Sequence, residues 1–265
     1  MKAFKTRFLE KESDVTIISD SKNAILRAKK SFHHHRENLE KYVKEDSLFL
    51  KSFSPVTTNS NFRVIEMMAN VAFQCDVGPM AAVAGVLADL MLEDMKLNNK
   101  KGDSDFEECK IALVENGGEI AIDSEESMKI ALYAGQNKLN LNLGFLVRKE
   151  DCPIGIGTSS ATVGHAISLG QADAVTVFAK NAALADAAAT KIGNLVKGDD
   201  IEQSIKKGLD AVDDIDGLLG AFISRNNKVG QTGKIPQLIK IEGAKTFLLE
   251  NKINNVFTDD YEIFK

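Results

Sequence analysis

The sequence predicts an α+β fold of mixed, largely antiparallel sheets packed with helices, and three observations predict it. Strand-like runs come in clusters rather than in strict alternation with helices, which argues against a doubly wound parallel sheet. Between the clusters lie long stretches whose apolar residues recur at helical spacing. The 265 residues are 44 % hydrophobic and 27 % charged, an ordinary water-soluble composition in a chain long enough for one large core. No repeat, low-complexity tract or linker interrupts it, so a single domain over 1–265 is expected.

The elements follow in order. KAFKTRFLE and DVTIIS alternate well enough to read as two short strands within 2–18, joined by a charged turn at Lys11–Ser13. Asp20 or Ser21 then caps a long helix reaching about Glu45, with Ile25, Ala28, Phe32, Leu39, Tyr42 and Val43 as its buried face. Ser, Thr, Asn and Pro55 make 47–60 a loop. A helix is expected near 62–73 and another near 79–97, opened by Gly78-Pro79 because proline suits a first helical turn. The second is rich in small residues, so another backbone can approach it closely, from its own sheet or from a second subunit of a homo-oligomer. NNKKGDSDFEE (98–108) is a solvated connection. Strand-like runs follow near 110–115, 119–122, 128–133 and 141–148, then a Gly/Ser/Thr-rich stretch, PIGIGTSSATVGHAISLGQ, that reads as a loop. ADAVTVFA is a buried strand. It leads into an alanine-rich helix that Asn181 can cap and Gly193 can end. A polar helix near 199–211 and a closing pair of strands near 218–225 and 237–242 complete the core.

Charge and composition narrow the function classes. A net charge of −5 and a pI near 5.5 lack the basic footprint of a nucleic-acid binder. MKAFKTRFLEKESD has no apolar core of signal-peptide length, and the longest uncharged helical run, Val77–Ala88, is too short to span a bilayer. A cytoplasmic protein without a membrane partner is expected. Cys75, Cys109 and Cys152 are far apart with no CxxC pair, which suits a reducing compartment and argues against a disulfide framework or zinc site.

Several constellations can carry chemistry, each beside a plainer alternative. In ADAAAT (185–190), Asp186 and Thr190 lie four apart and share one helix face. A carboxylate and a hydroxyl are hard oxygen ligands that suit Mg²⁺, the alanines between them leave room for a phosphate, and the helix start favours that anion. The alternative is an aspartate facing water and a threonine bonded to its own i−4 carbonyl. In NGGEI (116–120), two glycines after a strand allow close backbone approach to a ligand, with Glu119 offering a carboxylate. Asn-Gly is equally a hairpin-turn signal. In GIGTSSATVGH (155–165), backbone amides and the hydroxyls of Thr158, Ser159 and Ser160 can wrap a phosphate, or form a plain loop. The stretch matches neither GxGxxG nor a P-loop. His165, the sole histidine outside the first long helix, can be a general base, a phosphate contact or an ordinary hydrogen-bonded side chain. His33, His34 and His35 fan out by about 100° each on a helix, so they do not converge on one ion. Cys152, before Pro153, is the thiol expected to be most accessible, and an ordinary one.

Taken in order, CDVGPMAAVAGVLAD, ENGGEI, GTSS…GH and ADAVTVFAKNAALADAAAT resemble the ApbE-like superfamily, whose best-known members are Mg²⁺-dependent FAD:protein FMN transferases. The combination VGPMAAVAG, TSSATVGHA and LADAAAT is similar to an uncharacterised ApbE-like branch, over most of 1–225. The resemblance implies the T-fold-like architecture of that superfamily. It also implies Mg²⁺ on Asp186 and Thr190 beside a flavin pyrophosphate, a cleft lined by Gly117, Gly118 and Glu119, and Asp76 and Gly78 as the family's Asp-x-Gly. FMN would pass from FAD to a threonine hydroxyl on an acceptor protein, or FAD would be split as by a pyrophosphatase. A non-catalytic flavin- or nucleotide-binding protein, and a factor in sulfur assimilation toward homocysteine, are the alternatives it carries. Two departures stand out: Met80–Gly85 lacks the transferases' lysine, and GHAISLGQ fills the place of their His-x-x-Asp-Pro-x-Thr-Gly, with His165 matching the histidine.

Overall fold

A computed structural model describes residues 3–97, 109–134, 137–160, 170–241 and 262–264. Strands β1 (Ala3–Glu10) and β2 (Ser13–Ser19) form the expected hairpin, with Lys11 in the turn at positive φ. Helix α1 (Lys22–Glu45) begins at Ser21, whose hydroxyl accepts the Ala24 N–H, and buries Ile25, Ala28, Phe32 and Leu39 as the spacing predicts. The 47–60 loop contains one unpredicted turn of helix, α2 (Ser47–Lys51), because Asp46 accepts the N–H groups of Leu48 and Phe49 and Phe49 is fully buried. Helix α3 (Arg63–Cys75) ends on Asp76 in the left-handed region, φ 51°. Pro79–Ala82 is a tight 3₁₀ turn rather than α-helix, and α4 (Val83–Lys96) follows it.

Next come β3 (Ile111–Asn116), β4 (Glu119–Ser124), β5 (Met128–Ala131), β6 (Leu143–Val147), β7 (Ile154–Ser159) and β8 (Ala174–Ala179). Helices α5 (Ala182–Leu195) and α6 (Ile201–Asp210), then β9 (Leu218–Arg225), β10 (Lys228–Gly233), β11 (Gln237–Lys240) and β12 (Glu262–Phe264), close the chain. Asn181 caps α5 through the Leu184 N–H as expected, but the helix runs past Gly193 to Leu195.

One expectation about strands needs correction. The Gly/Ser/Thr-rich stretch is not a loop from its start, since 154–159 is an interior strand between β4 and β8. Both closing strands form, in different sheets: β9 turns at Asn226 and Asn227, both at positive φ, into the unpredicted β10, and β11 joins β6 in a separate sheet.

Among the described residues the main sheet has nine strands in the order β10-β9-β8-β7-β4-β3-β2-β1-β12, every neighbouring pair antiparallel, and the second has β11-β6-β5. Strand alternation sorts the main sheet's side chains into two cores. Ala112, Val114, Ala121, Val175 and Val177 pack with the helices. Ile111, Leu113, Ile122, Ile154, Ile156 and Phe178 pack with Phe145 and Val147 of the small sheet. Both faces are covered, so the strands read as continuous apolar runs rather than clean alternation. The mixed, largely antiparallel architecture predicted from the sequence is the one observed.

Candidate functional site

The site is built where the start of α5, packed on β7, meets the start of α4, packed on β3 and β4. Strand β7 reads Ile-Gly-Ile-Gly: its isoleucines fill the small-sheet core and its glycines face α5. A Cβ at Gly155 would lie 1.9 Å from the Asn181 carbonyl carbon, and one at Gly157 2.5 Å from the Ala185 carbonyl. Helix α4 crosses on the other side at Gly85, where a Cβ would meet the Ala182 oxygen at 2.3 Å and the Asp186 Cβ at 2.8 Å. Alanines and glycines therefore let strand, helix and helix approach to backbone contact. They leave Asp186 as the polar group at the crossing.

Two carboxylates interlock the helix starts. Asp186 accepts the Gly85 N–H at 2.9 Å and is also bonded by the Ala84 N–H, both unsatisfied donors of the first turn of α4. Asp89, 6 % exposed and midway along α4, accepts the N–H groups of Ala182 and Ala183 at 2.8 Å each, the first two of α5. The Asn116 amide donates to the Ala84 carbonyl at 3.2 Å and ties the end of β3 to the same turn.

Glu119 enters from the sheet. It faces the helices beside Ala121, accepts the Thr158 N–H, and lies across the ladder from Gly157, one step from the paired Ile120 and Ile156. Burial, together with the neighbouring negative charge of Glu115, pushes its carboxyl up to about 7 despite the hydrogen bonds it receives. Asp186 is held well above the usual carboxylate range, first by burial and next by the negative charge of Glu119, with Asp89 adding to it. Asp89 itself is raised to about 6, mainly by burial. Like charges this close favour keeping a proton or gaining a cation. Among the described residues no group of three or more His, Cys, Asp or Glu side chains converges on one point, so the protein oxygens here are two carboxylates and nearby hydroxyl and backbone groups.

The structure brings some predicted residues together and separates others. Asp186 and Glu119 share the crossing, and Thr190 lies one turn along α5, partly exposed. Gly117 and Gly118 form the two-residue turn between β3 and β4, both at positive φ (69° and 119°), so this turn alone requires them. Among the described residues nothing lies within 4 Å of where a Cβ on Gly118 would sit, which leaves the turn open on that side. Thr158 contributes its backbone, because its hydroxyl points to the opposite face and bonds Thr176 at 3.1 Å. Ser159 packs against Gly193, two turns beyond Asp186, and Ser160 lies just after the end of β7. His165 lies outside the described residues. Asp76 points outward, 2.7 Å from the Lys191 ammonium, which lowers its carboxyl. Gly78 is required by packing, since a Cβ there would be 1.9 Å from the Ser52 carbonyl oxygen.

The remaining candidates stand apart. His33 pairs with Glu10, His34 meets Asn38 and the edge of the His35 ring at 5.0 Å between centroids, and burial lowers His35; among the described residues the three do not converge on one ion, as expected. Burial raises all three thiols, Cys75 to about 12, which disfavours a reactive thiolate. Sequence reasoning missed Asp89, Asn116 and the backbone donors Ala84 and Gly85. The signal for Asp89 was available: an acid in the middle of GVLADLML, where every neighbour is apolar, must be satisfied inside the fold.

Among the described residues, no single helix is long and apolar enough to cross a membrane. Known proteins agree with the fold. The flavin transferase ApbE of Vibrio cholerae superposes with a TM-score of 0.54 at 11 % identity, covering 88 % of this chain and 97 % of its own. The apo flavinyl transferase ApbE of Pseudomonas stutzeri gives 0.50 at 11 % identity, over 88 % and 95 %. In sequence, a UPF0280 protein of Methanococcus maripaludis is 41 % identical over 245 residues, 91 % of this chain and 95 % of the relative. One from Methanocaldococcus jannaschii is 38 % identical over 242 residues, 90 % and 94 %. A family model described as "AbpE bacteria" matches residues 2–221. The chain therefore belongs to this ApbE-like family, in company with the UPF0280 proteins.

Proposed function

We propose that Asp186 and Glu119, with Thr190 on the same helix face as Asp186, hold a Mg²⁺ ion beside the pyrophosphate of a flavin nucleotide, FAD or FMN. On this reading the protein is an FMN transferase or FAD pyrophosphatase. The observation that carries it is the meeting of two carboxylates at the helix crossing, each raised by burial and Asp186 also by Glu119. A divalent cation would relieve both costs, and hard oxygen donors suit Mg²⁺. When bound, the cation supplies neutralisation of the diphosphate charge. The chain's own residues do the rest: the N–H groups of Ala84 and Gly85 aim the Asp186 carboxylate, the Thr158 N–H aims Glu119, and the open Gly117-Gly118 turn admits a bulky ligand. The solved neighbours named as flavin transferases support the choice of flavin over other nucleotides, and an acceptor protein with a free hydroxyl is the partner such a transfer requires.

The test is FMN release from FAD, with and without Mg²⁺, for the full chain and for Asp186→Ala, alongside calorimetric titration of Mg²⁺ and FAD. Mg²⁺-dependent release that Asp186→Ala abolishes is expected. Binding of both ligands without turnover would leave a flavin-binding protein. Binding of neither would reject the site.

A further inference from the structure

We infer that Asp89, which touches no ligand, is a positioning residue that sets the Asp186 carboxylate over the cation site. The functional half of this inference rests on the cation-site reading above, and the geometric half does not. Asp89 is buried and spends both carboxylate oxygens on the N–H groups of Ala182 and Ala183. Four residues after Ala182, Asp186 reaches back to Gly85, four residues before Asp89. Each helix start is thus held by a carboxylate of the other helix, and the bonds close a ring containing about one turn of each. Within a helical turn the backbone is rigid, so two anchors fix where the Asp186 carboxyl sits relative to α4.

Asn181 does not substitute for Asp89, because its side chain caps α5 from within through Leu184 and makes no tie to α4. The contact of Gly85 with Ala182 sets the spacing of the helices, and the Asp89 bonds lock the start of α5 onto α4. Metal ligands must hold their distances to about 0.2 Å. An anchor behind the ligand therefore matters even where the fold survives its loss.

The experiment measures amide hydrogen exchange and Mg²⁺ affinity on the full chain, for wild type, Asp89→Ala and Asp89→Asn. In Asp89→Ala, exchange should quicken not only at Ala182 and Ala183 but also at Ala84 and Gly85, by at least ~10-fold beyond the amides of β8. Mg²⁺ affinity should fall by about 10-fold or more, as loss of a supporting residue does at metal sites. Asp89→Asn keeps one acceptor oxygen, so it should restore part of both, and it decides the question if Asp89→Ala fails to fold. Exchange at Ala84 and Gly85 that only tracks β8, or Mg²⁺ affinity equal to wild type, would overturn the positioning role and leave Asp89 an anchor of α5 alone. If wild type binds no Mg²⁺, the cation-site reading fails, while the exchange measurement still decides whether Asp89 places Asp186.

Discussion

Replacing Glu119 by glutamine should stabilise the protein at pH 8 while removing its response to Mg²⁺. Glu119 has a folded-state pKa of about 7 against an ordinary 4.5, so the folded protein holds its proton more tightly than the unfolded chain does. Stability from this group is therefore complete below pH 4.5 and is lost as the pH rises through 7. The rise corresponds to about 3 kcal/mol at full ionisation. Partial solvent access to the carboxyl reduces this, to roughly 2 kcal/mol between pH 5 and pH 8. Glutamine keeps an oxygen for the Thr158 N–H and relieves the repulsion on Asp186, at a cost of about 1 kcal/mol for exchanging a charged acceptor for a neutral one. Glu119→Gln should thus be about 1 kcal/mol more stable than wild type at pH 8 and no more stable at pH 5. Urea denaturation at the two pH values reads this difference. Adding Mg²⁺ at ten times its dissociation constant should raise wild-type stability at pH 8 by about 1.4 kcal/mol and leave the variant unchanged. A variant destabilised equally at both pH values would show that the folded state does not disfavour this carboxylate, and the electrostatic basis of the site would fall.

Further outcomes follow from the same geometry. Gly157→Ala places a methyl 2.5 Å from the Ala185 carbonyl and 2.6 Å from the Asp186 N, backbone that cannot swing aside; a loss of about 3 kcal/mol in urea denaturation is expected, with weaker Mg²⁺ binding. Asn181→Ala removes the α5 cap and should cost about 1 kcal/mol by the same measurement, with Mg²⁺ affinity retained because Asp89 still ties α5 to α4. In thiol labelling of the folded protein at pH 8, partly exposed Cys152 should react before buried Cys75 and Cys109; early modification of Cys75 would contradict its burial and its upward shift to about 12.

Long local patterns were legible. The spacing of Ile25, Ala28, Phe32 and Leu39 marked α1, and the cap residues Ser21 and Asn181 occupy the positions expected of them. The strand β7 was not legible, because closely spaced glycines ordinarily mark a loop, and only the approach of α5 to 1.9 Å of a would-be Cβ explains them in a strand. The partner of β11 was not legible either: Gln237–Lys240 is too short to declare one sheet over another, and its pairing with β6 is long-range. At the site, Asp186 and Glu119 stood out as acids beside small residues. Asp89 carried a local signal in its apolar neighbours, but its partners, two amides some ninety residues away in sequence, have none.

By itself the sequence determined the family, the α+β class and the helix faces, since those depend on residue identity and on spacings shorter than a few turns. Only the tertiary structure decided which carboxylates meet. Their raised affinity for protons arises from burial and, at Asp186, from the charge of Glu119 on an element far away in the chain, and neither exists until α5 packs on β7 and meets α4.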